Sequence, residues 1–311
     1  MSTVISARGL SKSFRSGFWK TKSVAALQDL HLEVQENEIF GYLGPNGAGK
    51  STTLKLLMSL IYPSQGQVEI LGKPASDVSV RRHIGYLPEN PYFYEYLTAE
   101  EFLSYYAGLF DFDASQTKAR VERFLKLTGV YDARKLQLRK FSKGMIQRIG
   151  IAQALINDPK VVFLDEPMSG LDPIGRREVR DLILELKKEG RTVFFSTHIL
   201  NDVETTCDRV AILDRGRLVG SGRLTELFSK EVRHVEVVVS NISLAQLRQV
   251  AGNEVPIHPS GVTYLLEIDR NAALGKLVSG IEQAAGTLVS VTPVRQTMEE
   301  YFFALLQKSS N

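Results

Sequence analysis

Two short segments of this sequence carry residue types at spacings suited to phosphate chemistry. Residues 44–52 read GPNGAGKST, which fits the pattern G-x-x-x-x-G-K-[ST]. Glycines so spaced let successive backbone N–H groups curl around phosphate oxygens, and the positive end of a following helix adds to the same field. On this reading Gly44, Pro45, Asn46, Gly47, Ala48, Gly49, Lys50, Ser51 and Thr52 form the cradle. Lys50 would reach the β- and γ-phosphates, and the Ser51 hydroxyl would bind Mg2+. In the second segment, VVFLDEP, Asp165 and Glu166 follow an apolar run, which delivers two adjacent carboxylates to the crevice that holds the phosphates. Asp165 suits Mg2+ through its shell, which leaves Glu166 to orient and deprotonate an attacking water. Either segment alone has a plainer explanation, a glycine turn or a pair of solvated carboxylates. Their joint presence narrows the reading to phosphate chemistry.

Both segments need a frame that brings them together. The run IFGYL (residues 39–43) leads into the glycine loop, and Gly49 opens a helical pattern with Leu54, Leu57 and Met58 on one face. The runs VVFL (161–164) and TVFF (192–195) are short and apolar, with an amphipathic stretch at 175–188 between them. Such runs alternating with helices predict a buried parallel sheet, and ligands bind outside the carboxyl ends of its strands. Residues 97–140 contain no strand-like run and read as a helical insertion, whereas 209–222 reads as a hairpin turning at Asp214, Arg215 and Gly216. The core is expected to close around Lys230. Beyond it, VEVVV (235–239), a helix at 243–250, VTYLLEI (262–268), a helix near 272–285, LVSV (288–291) and a last helix at 296–306 predict a small second α/β domain.

Composition excludes several classes. The chain has 311 residues, 43% hydrophobic and 23% charged, enough to bury a large core without staples. Its one cysteine, Cys207, has no partner for an intramolecular disulfide, so a reducing cytosolic compartment is expected and the residue reads as a small apolar one. With 38 basic and 35 acidic side chains, a net charge of +3 gives no electrostatic ground for nucleic-acid binding. No window reaches the roughly 18 to 20 apolar residues of a membrane-spanning helix. The first ten residues carry Arg8 and lack the apolar core of a secretory signal, so any link to a membrane is expected to run through a partner.

A further segment, FSKGMIQR at residues 141–148, lies upstream of the Asp165–Glu166 pair, with Ser142 placed 23 residues before Asp165. With the two phosphate segments it makes residues 4–230 resemble the nucleotide-binding subunit of an ABC transporter. The resemblance implies a P-loop NTPase fold of the ABC type over residues 1–230, with a helical subdomain at about 97–157. A C-terminal α/β accessory domain over 231–311 resembles the extra module of some export ATPases. It further implies that Ser142 and Gly144 cap the γ-phosphate of ATP held by a second subunit, with the helix at 145–155 pointing its N-terminus there. SGLDP (169–173) resembles the loop whose aspartate, here Asp172, crosses the dimer interface. STH (196–198) puts His198 in the place of the family's histidine switch on the γ-phosphate, and Phe14 takes the place of the ring that stacks on adenine.

Two departures bear on mechanism. Lys143 and Met145 replace a glycine and a glutamine of the common L-S-G-G-Q signature, and Glu89 in GYLPEN replaces a glutamine that joins Mg2+ and the water to the membrane partner. A carboxylate still ligates Mg2+, so the expected metal set is Ser51, Glu89 and Asp165, and the expected catalytic set is Lys50, Glu166 and His198. Such variants resemble the ABC-2 type exporters. The resemblance implies an ATPase using ATP and Mg2+, peripheral at the cytoplasmic face of the membrane. Its expected partners are an integral membrane permease and a second ATP-binding subunit, expected to be another copy of this chain. The tyrosines and phenylalanines at 92–96 and 105–106 lie near Glu89, where the family receives a short helix of the membrane subunit; at least half of these rings are expected to serve internal packing. The stretch RSGFWKTK (15–22) reads as a solvated loop. Two alternatives are a soluble ABC ATPase acting on ribosomes or nucleic acid, and a catalytically weak regulatory subunit. A single cassette without concentrated basic charge disfavours the first, and filled phosphate, metal and water positions disfavour the second.

Overall fold

The computed structural model describes residues 2–16, 22–227, 232–269, 274–295 and 298–309. The chain divides into two compact units, one built on residues 1–224 together with the C-terminal segment from residue 305, and the other on residues 225–304. The first contains β1 (Thr3–Ser16), β2 (Lys22–Gln35), β3 (Ile39–Leu43), α1 (Lys50–Leu57), β4 (Gln65–Ile70), β5 (Lys73–Pro74), α2 (Val78–Arg81) and β6 (Ile84–Leu87). It continues with α3 (Ala99–Ala107), α4 (Ala114–Leu127), α5 (Lys143–Leu155), β7 (Val161–Asp165), α6 (Pro173–Lys188), β8 (Thr192–Thr197), α7 (Leu200–Thr206), β9 (Arg209–Asp214) and β10 (Arg217–Arg223). A short α8 (Leu224–Leu227) spans the boundary. Most of the stretch 15–22, and Lys230, lie outside the described residues.

The apolar runs are continuous because their strands are buried on both faces. A six-stranded sheet has the order β10-β9-β3-β8-β7-β6, with every pair parallel except β10 with β9. Side chains alternate along a strand. Ile39, Val162, Leu164, Val193 and Phe195 therefore enter one core with residues of α3 to α6, whereas Phe40, Tyr42, Val161, Phe163 and Phe194 enter another. That second core is closed by α1 and by an antiparallel sheet of order β2-β1-β4-β5. Close approach is enforced where α7 meets β3: a Cβ on Gly41 would lie 2.6 Å from Cys207 Sγ.

Local sequence fixes where the helices start. Thr98 with Glu101, and Asp113 with Gln116, form capping boxes for α3 and α4. Asp172 caps α6 with Pro173 in its first turn, and Ser142 caps α5. Residues 97–140 hold α3, α4 and two short 3-10 turns at 131–133 and 138–140 joined by loops, with no strand beyond an isolated Thr98–Gln137 bridge, and the 209–223 hairpin turns at Arg215 and Gly216.

The second unit holds β11 (Val232–Ser240), α9 (Leu244–Ala251), β12 (Ile257–Ser260), β13 (Thr263–Asp269), α10 (Leu274–Gln283) and β14 (Thr287–Arg295). Its antiparallel sheet runs β12-β13-β11-β14 and has its own core of Val237, Val239, Leu247, Leu266, Ile268 and Ile281. The division between the units falls within the last helix, α11 (Met298–Ser309), after Ala304.

Phe194 is fully buried and its ring lies 5.5 Å from Phe40, 5.4 Å from Tyr42 and 5.7 Å from Phe163. Phe194→Ala is expected to destabilise the first unit by about 3–5 kcal/mol, read as an earlier denaturant midpoint.

Candidate active site

Strand order decides what meets at the carboxyl edge of the sheet. β3, β8 and β7 are neighbours, with Leu43 paired to Thr197 and Asp165 paired to Ser196. The glycine loop after β3, His198 after β8 and the two carboxylates at the end of β7 therefore arrive side by side. β6, beside β7, ends at Leu87 and adds Glu89 two residues on.

The loop closes on Lys50. Gly47 and Gly49 have φ of +78° and +107°, backbone that favours glycine, and a Cβ on Gly49 would overlap the Ala26 carbonyl oxygen. α1 has no side-chain cap and no acidic residue in its first turn, which leaves N–H groups there for an anion. Lys50 is buried; its Nζ donates to the carbonyls of Gly44 (2.8 Å) and Pro45 (3.2 Å) and lies 3.2 Å from Glu166 Oε1. A cavity of about 330 Å3 opens here, lined by Asn46, Gly47, Gly49 and the first helical turn from Lys50 to Thr52, together with Glu89 and Glu166. Gly44, Pro45 and Ala48 are not among the lining residues; their backbone groups hold the loop, as in the bond from Ala48 N–H to the Pro45 carbonyl.

Glu166 has φ of +52°, a left-handed turn immediately after the strand. Strand alternation would send Asp165 and Glu166 to opposite faces, and the turn breaks that alternation. The Glu166 carboxylate is 6% exposed: Oε1 faces Lys50, and Oε2 lies 2.9 Å from His198 Nδ1. Asp165 is 2% exposed and does not line the cavity; its Oδ1 accepts from Ser196 Oγ at 2.5 Å. Thr197 Oγ1 accepts from Ile199 N–H (3.0 Å) and donates to Asp202 (3.3 Å), which pins the backbone around His198. Burial pushes the Asp202 carboxyl up, the largest of several influences on it.

The oxygen donors of Ser51, Glu89 and Asp165 are the kind that Mg2+ accepts. Among the described residues, no three His, Cys, Asp or Glu side chains are grouped to hold a metal. This donor set fits a cation that takes the rest of its shell from water and phosphate oxygens.

Besides Gly44, Pro45 and Ala48, three more of the expected nucleotide-binding residues, Phe14, Ser142 and Gly144, do not line this cavity. Phe14 is 43% exposed on β1, with Lys12 Nζ 5.2 Å from its ring centre. Ser142 caps its own helix, accepting from Met145 N–H at 3.3 Å with its hydroxyl proton left to donate, and Gly144 has open space where a Cβ would stand. Lys143 reaches across to Gly170, its Nζ lying close enough to overlap a Cβ there. Asp172 accepts from Gly175 N–H at 2.7 Å.

Two residues beside the site escaped the reading of the sequence. The Tyr86 hydroxyl is pushed up to about 12, first by burial and then by the charges of Asp165 and Glu89. Ser196 bonds both carboxylate residues; the available signal was its position near the end of the strand beside β7.

The chain matches the ABC transporter family over residues 27–169. It is 46% identical to an ABC transporter ATP-binding protein of Nostoc sp. over 310 residues, covering 98% of this chain and 90% of that one. It is 34% identical to the bacitracin transport ATP-binding protein BcrA of Bacillus licheniformis, covering 98% of each. A dimeric ATP-binding cassette solved in a post-hydrolysis state with ADP and Pi superposes with a TM-score of 0.64 at 25% identity, covering 71% of this chain and 98% of that one. With glycine loop, carboxylates and histidine assembled at the edge of this α/β fold, the chain belongs to the family of ABC transporter ATP-binding proteins.

Proposed function

We propose that the chain binds and hydrolyses Mg·ATP to power a membrane exporter. The observation that carries the reading is the convergence of Lys50 and His198 on the two oxygens of Glu166, at the wall of a cavity lined by the phosphate loop. When ATP enters, its β- and γ-phosphates compete for Lys50 and for the first-turn N–H groups of α1. Glu166, released from Lys50 and still held by His198, then orients a water and takes its proton. Ser51, Glu89 and Asp165 would hold Mg2+, which neutralises phosphate charge when bound. The chain's own part in catalysis is positioning and charge neutralisation rather than covalent chemistry.

Ser142 and Gly144 lie off the cavity of their own chain, which supports a head-to-tail dimer in which each copy caps the other's ATP. No helix among the described residues is long and apolar enough to cross a membrane. The path for substrate is therefore assigned to an integral membrane permease, with this chain at the cytoplasmic face. A groove of about 520 Å3 lined by residues 91–96 and Ile146 suits a short helix of that partner. Tyr92 is 85% exposed there, whereas Phe93 is buried against Phe102. Export is favoured by the similarity to the bacitracin transport protein and by the Lys143 and Glu89 departures. Residues 1–230 are taken as the cassette and residues 231–311 as an accessory domain.

Glu166→Gln is expected to keep ATP binding, form a stable dimer on size exclusion and lose about 10²–10⁴-fold in phosphate release. Near-normal turnover would remove Glu166 from the proposed role. Lys50→Ala is expected to weaken ATP binding by at least about tenfold in a fluorescent-nucleotide titration, because a charge-assisted contact to phosphate is lost. Affinity purification from gently solubilised membranes with non-hydrolysable ATP should retain a polytopic membrane protein; ribosomal proteins or nucleic acid in its place would refute the transporter assignment.

A further inference from the structure

We propose that Ser196 is a positioning residue that sets both carboxylates of the site, Asp165 for the metal side and Glu166 for the water side. The inference rests on the hydrolytic reading above and deepens it.

Ser196 is fully buried, and it pairs in register with Asp165 on adjacent parallel strands, so the two side chains leave the same face of the sheet and meet. Its hydroxyl has one proton to give and lone pairs to receive. Both functions are used, in directions that chemistry forces. The Asp165 carboxylate accepts, at 2.5 Å, and the Glu166 backbone N–H donates, at 3.0 Å. The first distance is that of a short, charge-assisted O–H···O bond, which fixes the rotation of the Asp165 carboxylate.

The second bond acts on the turn. Glu166 N–H is also 3.2 Å from the Ser196 carbonyl oxygen, so one residue of β8 engages it twice. Those contacts hold a side-chain-bearing residue in left-handed backbone, and that backbone brings the Glu166 carboxylate to Lys50 and His198. Ser196 touches neither the cavity nor any reacting atom, and acts only through its two neighbours. Ser196→Ala removes the hydroxyl and leaves the carbonyl bond to Glu166 intact, so its larger effect falls on Asp165.

The experiment uses the full chain, with Mn2+ standing in for Mg2+. In Ser196→Ala, ATP affinity in EDTA is expected to stay within about twofold of the parent, because the phosphate loop is untouched. Mn2+ binding with non-hydrolysable ATP, followed by electron paramagnetic resonance, should weaken by about tenfold or more, the scale of a lost hydrogen bond to a charged group. The same variant should lose a comparable factor in kcat with little change in KM for ATP. Ser196→Thr, which returns the hydroxyl, should recover most of the Mn2+ affinity. If Ser196→Ala melts early, the same readings on Ser196→Cys, a near-isosteric weaker donor, decide the matter. Parent-like Mn2+ affinity and kcat, or an equal loss of ATP binding in EDTA, would overturn the positioning role. A parent protein that neither binds Mn2+ with ATP nor hydrolyses ATP would instead overturn the hydrolytic reading on which the role rests.

Discussion

The rest of the first unit depends on the two-sided burial of its parallel strands. Each of β3, β7 and β8 contributes alternate residues to two different cores, so a slip of one residue would exchange Phe163 with Val162 and Phe194 with Val193. Neither core could accept that exchange without voids in one and overlap in the other. Register at the middle of the sheet is thereby transmitted to its carboxyl edge. Leu43 lies beside Thr197 and Asp165 beside Ser196 because the aromatic layers beneath allow no other alignment. The polar groups at the edge inherit their placement from apolar packing several residues away.

One buried ion pair at that edge is satisfied within the site. Lys50 and Glu166 are each 6% exposed, an arrangement whose desolvation is severe unless every proton and lone pair is engaged. The ammonium meets this by adding two loop carbonyls to its ion pair, and the carboxylate by adding His198. The pair is weak evidence for stability, but its hydrogen-bond partners tie the glycine loop, the end of β7 and the start of the segment after β8 into one network. A ligand that takes over one member of this network alters the surroundings of the others.

Much of this was legible in the sequence. IFGYL, VVFL and TVFF read as strands because a strand buried on both faces is apolar at every position, and the hairpin at 209–223 announced itself through Arg215 and Gly216. The antiparallel sheet of the first unit was missed. β1 and β2 interrupt their alternation with several register shifts and expose residues such as Phe14 and Val24, so neither period stands out. β6 is only four residues long and contains Gly85, and β12 contains Pro259, each a sequence mark against a strand. In the site, the glycine loop and the carboxylate pair were visible as local patterns. The contribution of Ser196 was not, because it exists only across a strand pairing, and no local pattern reports the left-handed turn at Glu166.

The packing of Cys207 against Gly41 has a practical side. This is the one sulfhydryl in the chain, and burial first, then the negative charges of Asp208 and Asp202, raises its thiol well above the ordinary range. A thiolate is the reactive species, so this cysteine is a poor nucleophile at neutral pH. A reporter thiol introduced on an exposed surface would then be labelled faster than the half-buried native one, and its separation from a second label would become measurable without altering the protein's own interior.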